Sequence, residues 1–259
     1  MTGSPDNPDS TAQSGSSQRD AARSQRPRDA ATLIIVDQSG PPRILMGRRR
    51  PQQIFLPNKF VFPGGRADKI DRSVPAADEL HDDDLAKLLL DMKGNPSPAR
   101  ARGLALAALR ETYEEAGLLI GREAAEAAQG TSDRISASDL GAWEGFFGEA
   151  IAPSLSPLTF LARAITPPGR PRRYDTRFFI VNATHIAKTV QPPDDELRDL
   201  DWFTIEEARR LDLPNITRAI VEDLNEFMKL GSIGRSAPDW GVPFYFFKSG
   251  SFERLLLKP

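Results

Sequence analysis

Residues 110–118 read Arg110-Glu111-Thr112-Tyr113-Glu114-Glu115-Ala116-Gly117-Leu118. On a helix turning by about 100° per residue, Glu111, Glu114 and Glu115 share one face. Leu106, Leu109, Tyr113 and Ala116 fall on the other side, at the spacing of a buried stripe. Like charges three and four residues apart repel each other on an ordinary helix. A hard divalent cation with oxygen ligands would turn that repulsion into attraction. The alternative is a solvated acidic face on an amphipathic helix. Gly117 is the residue type that commonly ends a helix in the left-handed conformation.

Working outward, Ser97-Pro98 has an N-cap residue followed by a proline suited to the first turn, so the spacing predicts a helix from about Pro98 to Ala116. Its Ala-rich middle has high helix propensity. Further upstream, Phe60-Val61-Phe62-Pro63-Gly64-Gly65 reads as a strand running into two glycines, where the main chain can approach a ligand closely or simply turn. Residues 66–97 read as an insertion with a short helix at Leu80, Leu85, Leu88, Leu89 and Met92. Asp82, Asp83 and Asp84 at its start could be metal ligands, but their place at the helix N-terminus favours capping and interaction with the helix dipole.

Strands are expected at 31–36 and 43–48 as a hairpin, then at 118–120, 158–165, 174–181 and, as the last strand of the core, 197–203. One or two small helices are expected within 122–152, with Trp143, Phe146 and Phe147 as core. Thr204 and Glu207 form a capping box, and 214–230 reads as an amphipathic helix. The reading divides the chain into a disordered tail (1–28), one domain (29–231) and an aromatic extension (232–259) that packs on it, stacks on a base or mediates a dimer contact. Arg173 and Arg177 could hold phosphates bidentately or pair with Asp175. Lys59 and Arg48 to Arg50 form a basic stretch that could serve a phosphate site or an ordinary surface loop.

Composition removes several classes of function. A net charge of −2 and a pI near 5.8 give no general attraction to nucleic acid, though a nucleotide-sized substrate remains compatible. With no cysteine there is no disulfide, thiolate zinc site or cysteine nucleophile, which fits a cytoplasmic protein. His81 and His185 are too few for a histidine-rich centre, so a catalytic metal would need carboxylates and carbonyls. No apolar run reaches the roughly 18 residues of a membrane span.

Taken together, these residues resemble the Nudix hydrolase family, whose signature is G-x5-E-x7-R-E-U-x-E-E-x-G-U, with U a bulky aliphatic residue. Arg110, Glu111, Glu114, Glu115, Gly117 and Leu118 match its second half, and Gly65 looks like its opening glycine. Thr112 departs from the usual aliphatic residue. The spacing from Gly65 to Arg110 exceeds the signature by 31 positions, and counting back from Arg110 puts Arg102 where the first Glu is expected. That carboxylate is lost or supplied elsewhere. The interrupted box resembles the subgroup that includes the peroxisomal coenzyme A diphosphatase of animals. The chain ends Leu-Leu-Lys-Pro rather than in a Ser-Lys-Leu address, and the separate motif of other coenzyme A-cleaving members is not found upstream.

The resemblance implies an α/β (α+β) Nudix fold: an α/β/α sandwich with a mixed central sheet and an inserted helical segment. It implies Mg²⁺ or Mn²⁺ held by Glu111, Glu114 and Glu115, with the Gly64 carbonyl, to cleave a nucleoside diphosphate derivative. Coenzyme A or an acyl-coenzyme A, ADP-ribose and nucleotide sugars are the candidate substrates. In that scheme Arg110 orients the carboxylates. Glu196, in a loop before a strand, is the candidate general base; an exposed loop glutamate without a role is the alternative. Arg173, Arg177 and Lys59 are the expected substrate contacts. A Nudix-fold nucleotide sensor without catalysis is the second reading, and a homodimer is compatible with both.

Overall fold

The computed structural model describes residues 25–53, 56–123, 140–231, 233, 237 and 239–258. Most of the expected N-terminal tail, residues 1–24, lies outside them, as do 124–139 of the segment in which small helices were expected.

The central sheet contains β1 (Arg28–Asp37), β2 (Arg43–Arg49), β3 (Phe60–Val61), β4 (Gly64–Arg66), β7 (Thr159–Ile165), β8 (Tyr174–Asn182), β10 (Leu197–Thr204), β11 (Val242–Lys248) and β12 (Ser251–Leu257). Its order is β10-β2-β1-β8-β7-β11-β12, with β3 on β2 and β4 on β1. β1 runs parallel to β8 and β11 parallel to β7, while the other pairs are antiparallel, so the sheet is mixed. A smaller sheet joins β5 (Leu118–Glu123) to β6 (Ile151–Pro153) and β9 (Ile186–Thr189).

Helices cover both faces. On β1, Leu33 and Ile35 enter the core beneath α2 (Pro98–Ala116), and Ile34 and Val36 enter the opposite core beneath α4 (Ile205–Arg210) and α5 (Asn215–Met228). Successive side chains of a strand alternate faces, so a strand covered on both sides must be apolar throughout. That is why residues 33–36 read as an unbroken apolar run. The expected sandwich with a mixed sheet is therefore the fold observed. Among the described residues no helix is long and apolar enough to cross a membrane.

Two expectations change. Leu197–Thr204 is not the last strand, because the aromatic extension forms a hairpin, β11–β12, that continues the sheet beyond β7. The insertion does carry a helix, α1 (Asp82–Leu89), but His81 occupies its N-cap and no side chain caps it. Asp84 is instead buried and accepts the Phe160 backbone N–H at 2.9 Å, with burial raising its proton affinity. In the 122–152 segment one helix is described, α3 (Ala142–Gly148), with Trp143 and Phe146 fully buried and Phe147 packed against them.

Candidate functional site

The site is built on the last two turns of α2. Ser97 caps its start, accepting the Arg100 N–H at 3.2 Å, and Gly117 closes it at φ 67°, where a side chain would be strained. Thr112, the polar residue at an aliphatic position, is buried and donates its hydroxyl to the Ala108 carbonyl at 2.8 Å. This bond back to the preceding turn satisfies the hydroxyl without a solvent contact.

Arg110 lies buried at the centre. Its Nη1 donates to Glu111 at 2.9 Å and to Glu114 at 2.6 Å, and its Nη2 donates to the Arg66 carbonyl at 2.9 Å. Its Nε and Nη2 grip Asp71 at 3.0 and 3.2 Å. Burial works against the guanidinium charge, but the Asp71 hydrogen bonds and the Glu111, Asp71 and Glu114 charges raise its pKa overall. Arg110 is thus ion-paired with two of the three helix glutamates.

Asp71 is the carboxylate that reading missed. It is fully buried, and besides Arg110 it accepts the Trp143 Nε1–H at 2.8 Å and the Asp68 N–H at 2.7 Å. Counting forward from Gly65 instead of back from Arg110 reaches it: after five intervening residues, the signature's glutamate position is Asp71. The 31 extra positions therefore lie between Asp71 and Arg110. Arg102 stands away from this cluster, with its Nε bonded to Glu79 at 2.7 and 2.9 Å and its Nη1 to the Val74 carbonyl at 2.6 Å.

The glycine pair fits against the glutamates. Gly64 N–H donates to the Glu115 carboxylate at 2.9 Å. A Cβ on Gly65 would stand 2.5 Å from the Glu111 carboxyl carbon, so only glycine lets the strand pass so close to the helix. Glu115 is 4% exposed. Burial, with the Glu111 charge adding to it, raises its pKa well above the carboxylate range despite the Gly64 N–H and Arg49. Burial likewise pushes Glu111 up to about 7, with Arg110 opposing and Glu114 reinforcing the shift, and it raises Glu114 against Arg110.

Glu196 approaches from the loop before β10. That loop is fastened to the end of α2: Val190 N–H donates to the Gly117 carbonyl at 2.8 Å and Asp194 N–H to the Glu114 carbonyl at 2.9 Å. Asp194 then accepts the Glu196 N–H at 2.9 Å. The Glu196 carboxylate is held by Arg49 Nη2 at 3.2 Å and Gln53 Nε2 at 2.5 Å, and its charge is felt by Glu115. The separation of Arg49 and Gln53 from Glu196 in the chain hid that clamp from the sequence.

Three expected substrate contacts have protein partners. Lys59 Nζ bonds Asp212 at 2.5 Å. Arg173 donates to the carbonyls of Thr166 at 3.0 Å and Gln25 at 2.6 Å. Arg177 is fully buried, 2.9 Å from Asp175 and 3.5 Å from Asp29, so the ion-pair alternative is the contact seen.

Among the described residues no three Asp, Glu, His or Cys side chains are grouped to enclose a metal by themselves. Glu111 and Glu115 nevertheless suit one, being two buried carboxylates that raise each other's proton affinity beside a backbone that admits no side chain. Such a pair is stabilised by a proton or by a hard cation with oxygen ligands. A main-chain carbonyl or a neighbouring carboxylate would have to complete the set.

No family model matches the chain. A Caenorhabditis elegans protein provisionally named nudix hydrolase 7 is 29% identical over 160 residues, which is 60% of this chain and 44% of that protein. The match thus spans less than half the relative's length. The crystal structure of a Nudix hydrolase from Alicyclobacillus acidocaldarius is 27% identical and superposes with a TM-score of 0.51, covering 77% of this chain and 91% of that one. The fold is the Nudix fold, and both relatives support the family resemblance to the Nudix hydrolases.

Proposed function

We propose that the chain is a divalent-metal-dependent hydrolase that cleaves the diphosphate linkage of a nucleoside diphosphate derivative. The observation carrying this reading is the excess of buried carboxylate packed against Gly64 and Gly65, with Glu111 and Glu115 both displaced toward the protonated state. Glu111 and Glu115 would hold Mg²⁺ or Mn²⁺ with the Gly64 carbonyl, and Glu114 would act on it through water. When bound, the cation draws charge from the diphosphate oxygens and favours ionisation of the attacking water. Arg110 fixes the Glu111 and Glu114 carboxylates, and Asp71 and Trp143 fix Arg110.

Glu196 is the general base, aimed by Arg49 and Gln53. It takes a proton from water as the oxygen bonds to phosphorus and the bond to the bridging oxygen breaks. The products are a nucleoside monophosphate and a phosphorylated remainder. Coenzyme A and acyl-coenzyme A are the first substrates to test, because the box resembles the interrupted subgroup; ADP-ribose and nucleotide sugars share the same linkage. Asp71 removes the reason for preferring a sensor, since the apparently missing carboxylate is present. A cytoplasmic setting agrees with the absence of cysteine.

The test is a panel of these compounds with Mg²⁺ or Mn²⁺, products resolved by mass, for wild type and Glu115→Gln. The reading predicts a nucleoside monophosphate from at least one compound and none from the variant. Wild-type inactivity across the panel, or equal activity in the variant, contradicts it.

A further inference from the structure

Four of the five large apolar side chains exposed among the described residues lie on one hairpin: Phe247, Phe252, Leu255 and Leu256, the last three each half exposed. β12 ends the sheet and is paired only with β11, in unbroken register from Ser251 opposite Lys248 to Leu257 opposite Val242. A terminal strand points alternate N–H and C=O groups outward, a template for another strand unless charge, proline or a bulge blunts it. The opposite edge is blunted: β10 shifts register between Arg198 and Asp201 and carries Arg198, Asp199 and Asp201. β12 carries Glu253 and Arg254, the latter tied back to Asp223, but has no proline, no bulge and three consecutive leucines, Leu255 to Leu257.

We propose that β12 is a homodimer interface, pairing antiparallel with β12 of a second copy about a twofold axis through Leu255. Charge and strand overlap together select that register. In a twofold antiparallel pair, residues equally far from the axis face each other on the same side of the sheet. An axis at Glu253 sets Glu253 against itself, one at Arg254 sets Arg254 against itself, and one at Leu256 sets Arg254 against Lys258. Like charges directly opposite destabilise a strand pair.

The axis at Leu255 avoids all three. It sets Leu255 on Leu255, Arg254 on Leu256, Glu253 on Leu257 and Phe252 on Lys258, whose ammonium can lie over the ring. Arg254 meanwhile keeps its own partners, Asp223 at 2.9 Å and the Tyr245 hydroxyl at 3.1 Å. Strands β11, β7 and β8 separate this edge from β1 and its glycine strand, so the dimer leaves the candidate site open.

Sedimentation velocity on the full chain, across a wide concentration range, tests both the interface and its register. Wild type is expected to dimerise. Leu255→Lys puts two cations on the axis and yields a monomer that melts with wild type diluted to the monomer. Phe252→Glu removes an equally exposed apolar residue but gives Lys258 an acidic partner, so it stays dimeric. Leu255→Glu repeats the axis test with the other sign and is likewise monomeric. A wild type that stays monomeric at every concentration overturns the proposal, including one that instead floats with phosphatidylcholine vesicles. A dimer persisting in both Leu255 variants, or lost in Phe252→Glu, also overturns it.

Discussion

Two buried arginine clusters lie on the α2 side of the sheet and differ in the sign of the charge left over. In the first, Arg110 faces Asp71, Glu111 and Glu114, with Glu115 beside Glu111. In the second, Arg163 grips Asp175 at 2.8 and 2.7 Å, Arg100 grips Asp29 at 2.6 and 2.8 Å, and Arg177 sits between the two aspartates. Surplus guanidinium can turn in part to the main chain, since each group has five donors and any carbonyl will accept. Arg163 uses the Asp91 carbonyl at 3.1 Å, and Arg177 gives Nη1 to that of Asp175 at 2.8 Å while its buried Nε and Nη2 have no partner among the described residues. Surplus carboxylate has no such outlet beyond scarce N–H groups, such as that of Gly64. It must take a proton or a cation. The proposed function makes the carboxylate-surplus cluster the binding site and leaves the arginine-surplus cluster as a tether.

The contrast can be broken from either side. Asp71→Ala removes one partner of a buried pair and should cost about 3–5 kcal/mol by denaturant unfolding. With Arg110 no longer held, hydrolysis should also fall by roughly 10–100-fold, the usual effect of losing an outer partner of a metal site. Asp71→Glu restores the signature residue and most of both losses. Asp175→Asn in the second cluster should destabilise by a similar amount, about 3–5 kcal/mol, yet leave kcat and KM of the folded fraction unchanged.

The next effect is in pH. The Glu111 pKa is raised from 4.5 unfolded to about 7 folded, so its contribution to stability is full below pH 4.5 and is lost as pH rises through 7. Glu115 shifts in the same direction. Melting of the metal-free protein should therefore show stability falling from pH 5 to pH 8, and Mg²⁺ should flatten that slope. The smallest effect is at Arg177→Met, which leaves the Arg163–Asp175 pair intact. Stability should be unchanged or slightly higher, and KM should not move. A raised KM would restore the phosphate role expected of Arg177.

Legibility in the sequence followed the range of the interactions. α2 was readable to its ends because Ser97, Pro98 and Gly117 act through bonds within one turn. The capping box at Thr204 and Glu207 was readable for the same reason. Asp71 was hidden by the insertion, which separates it from Arg110 by 39 positions and defeats a count made from the helix. Arg49 and Gln53 meet Glu196 across 147 and 143 positions, and no local pattern announces such a contact. The hairpin was missed because the run at Phe244 to Phe247 is apolar without a break and reads equally as a cluster. At Arg177 the sequence left two readings open, and burial separated them.

The most direct test of the account is calorimetric titration of Mn²⁺ into the metal-free protein, alongside Glu115→Gln and Arg177→Met. If the carboxylate surplus is a cation site, wild type and Arg177→Met show the same saturable binding, with protons released near neutral pH, and Glu115→Gln shows none. Equal binding in Glu115→Gln, or no binding in the wild type, would contradict it.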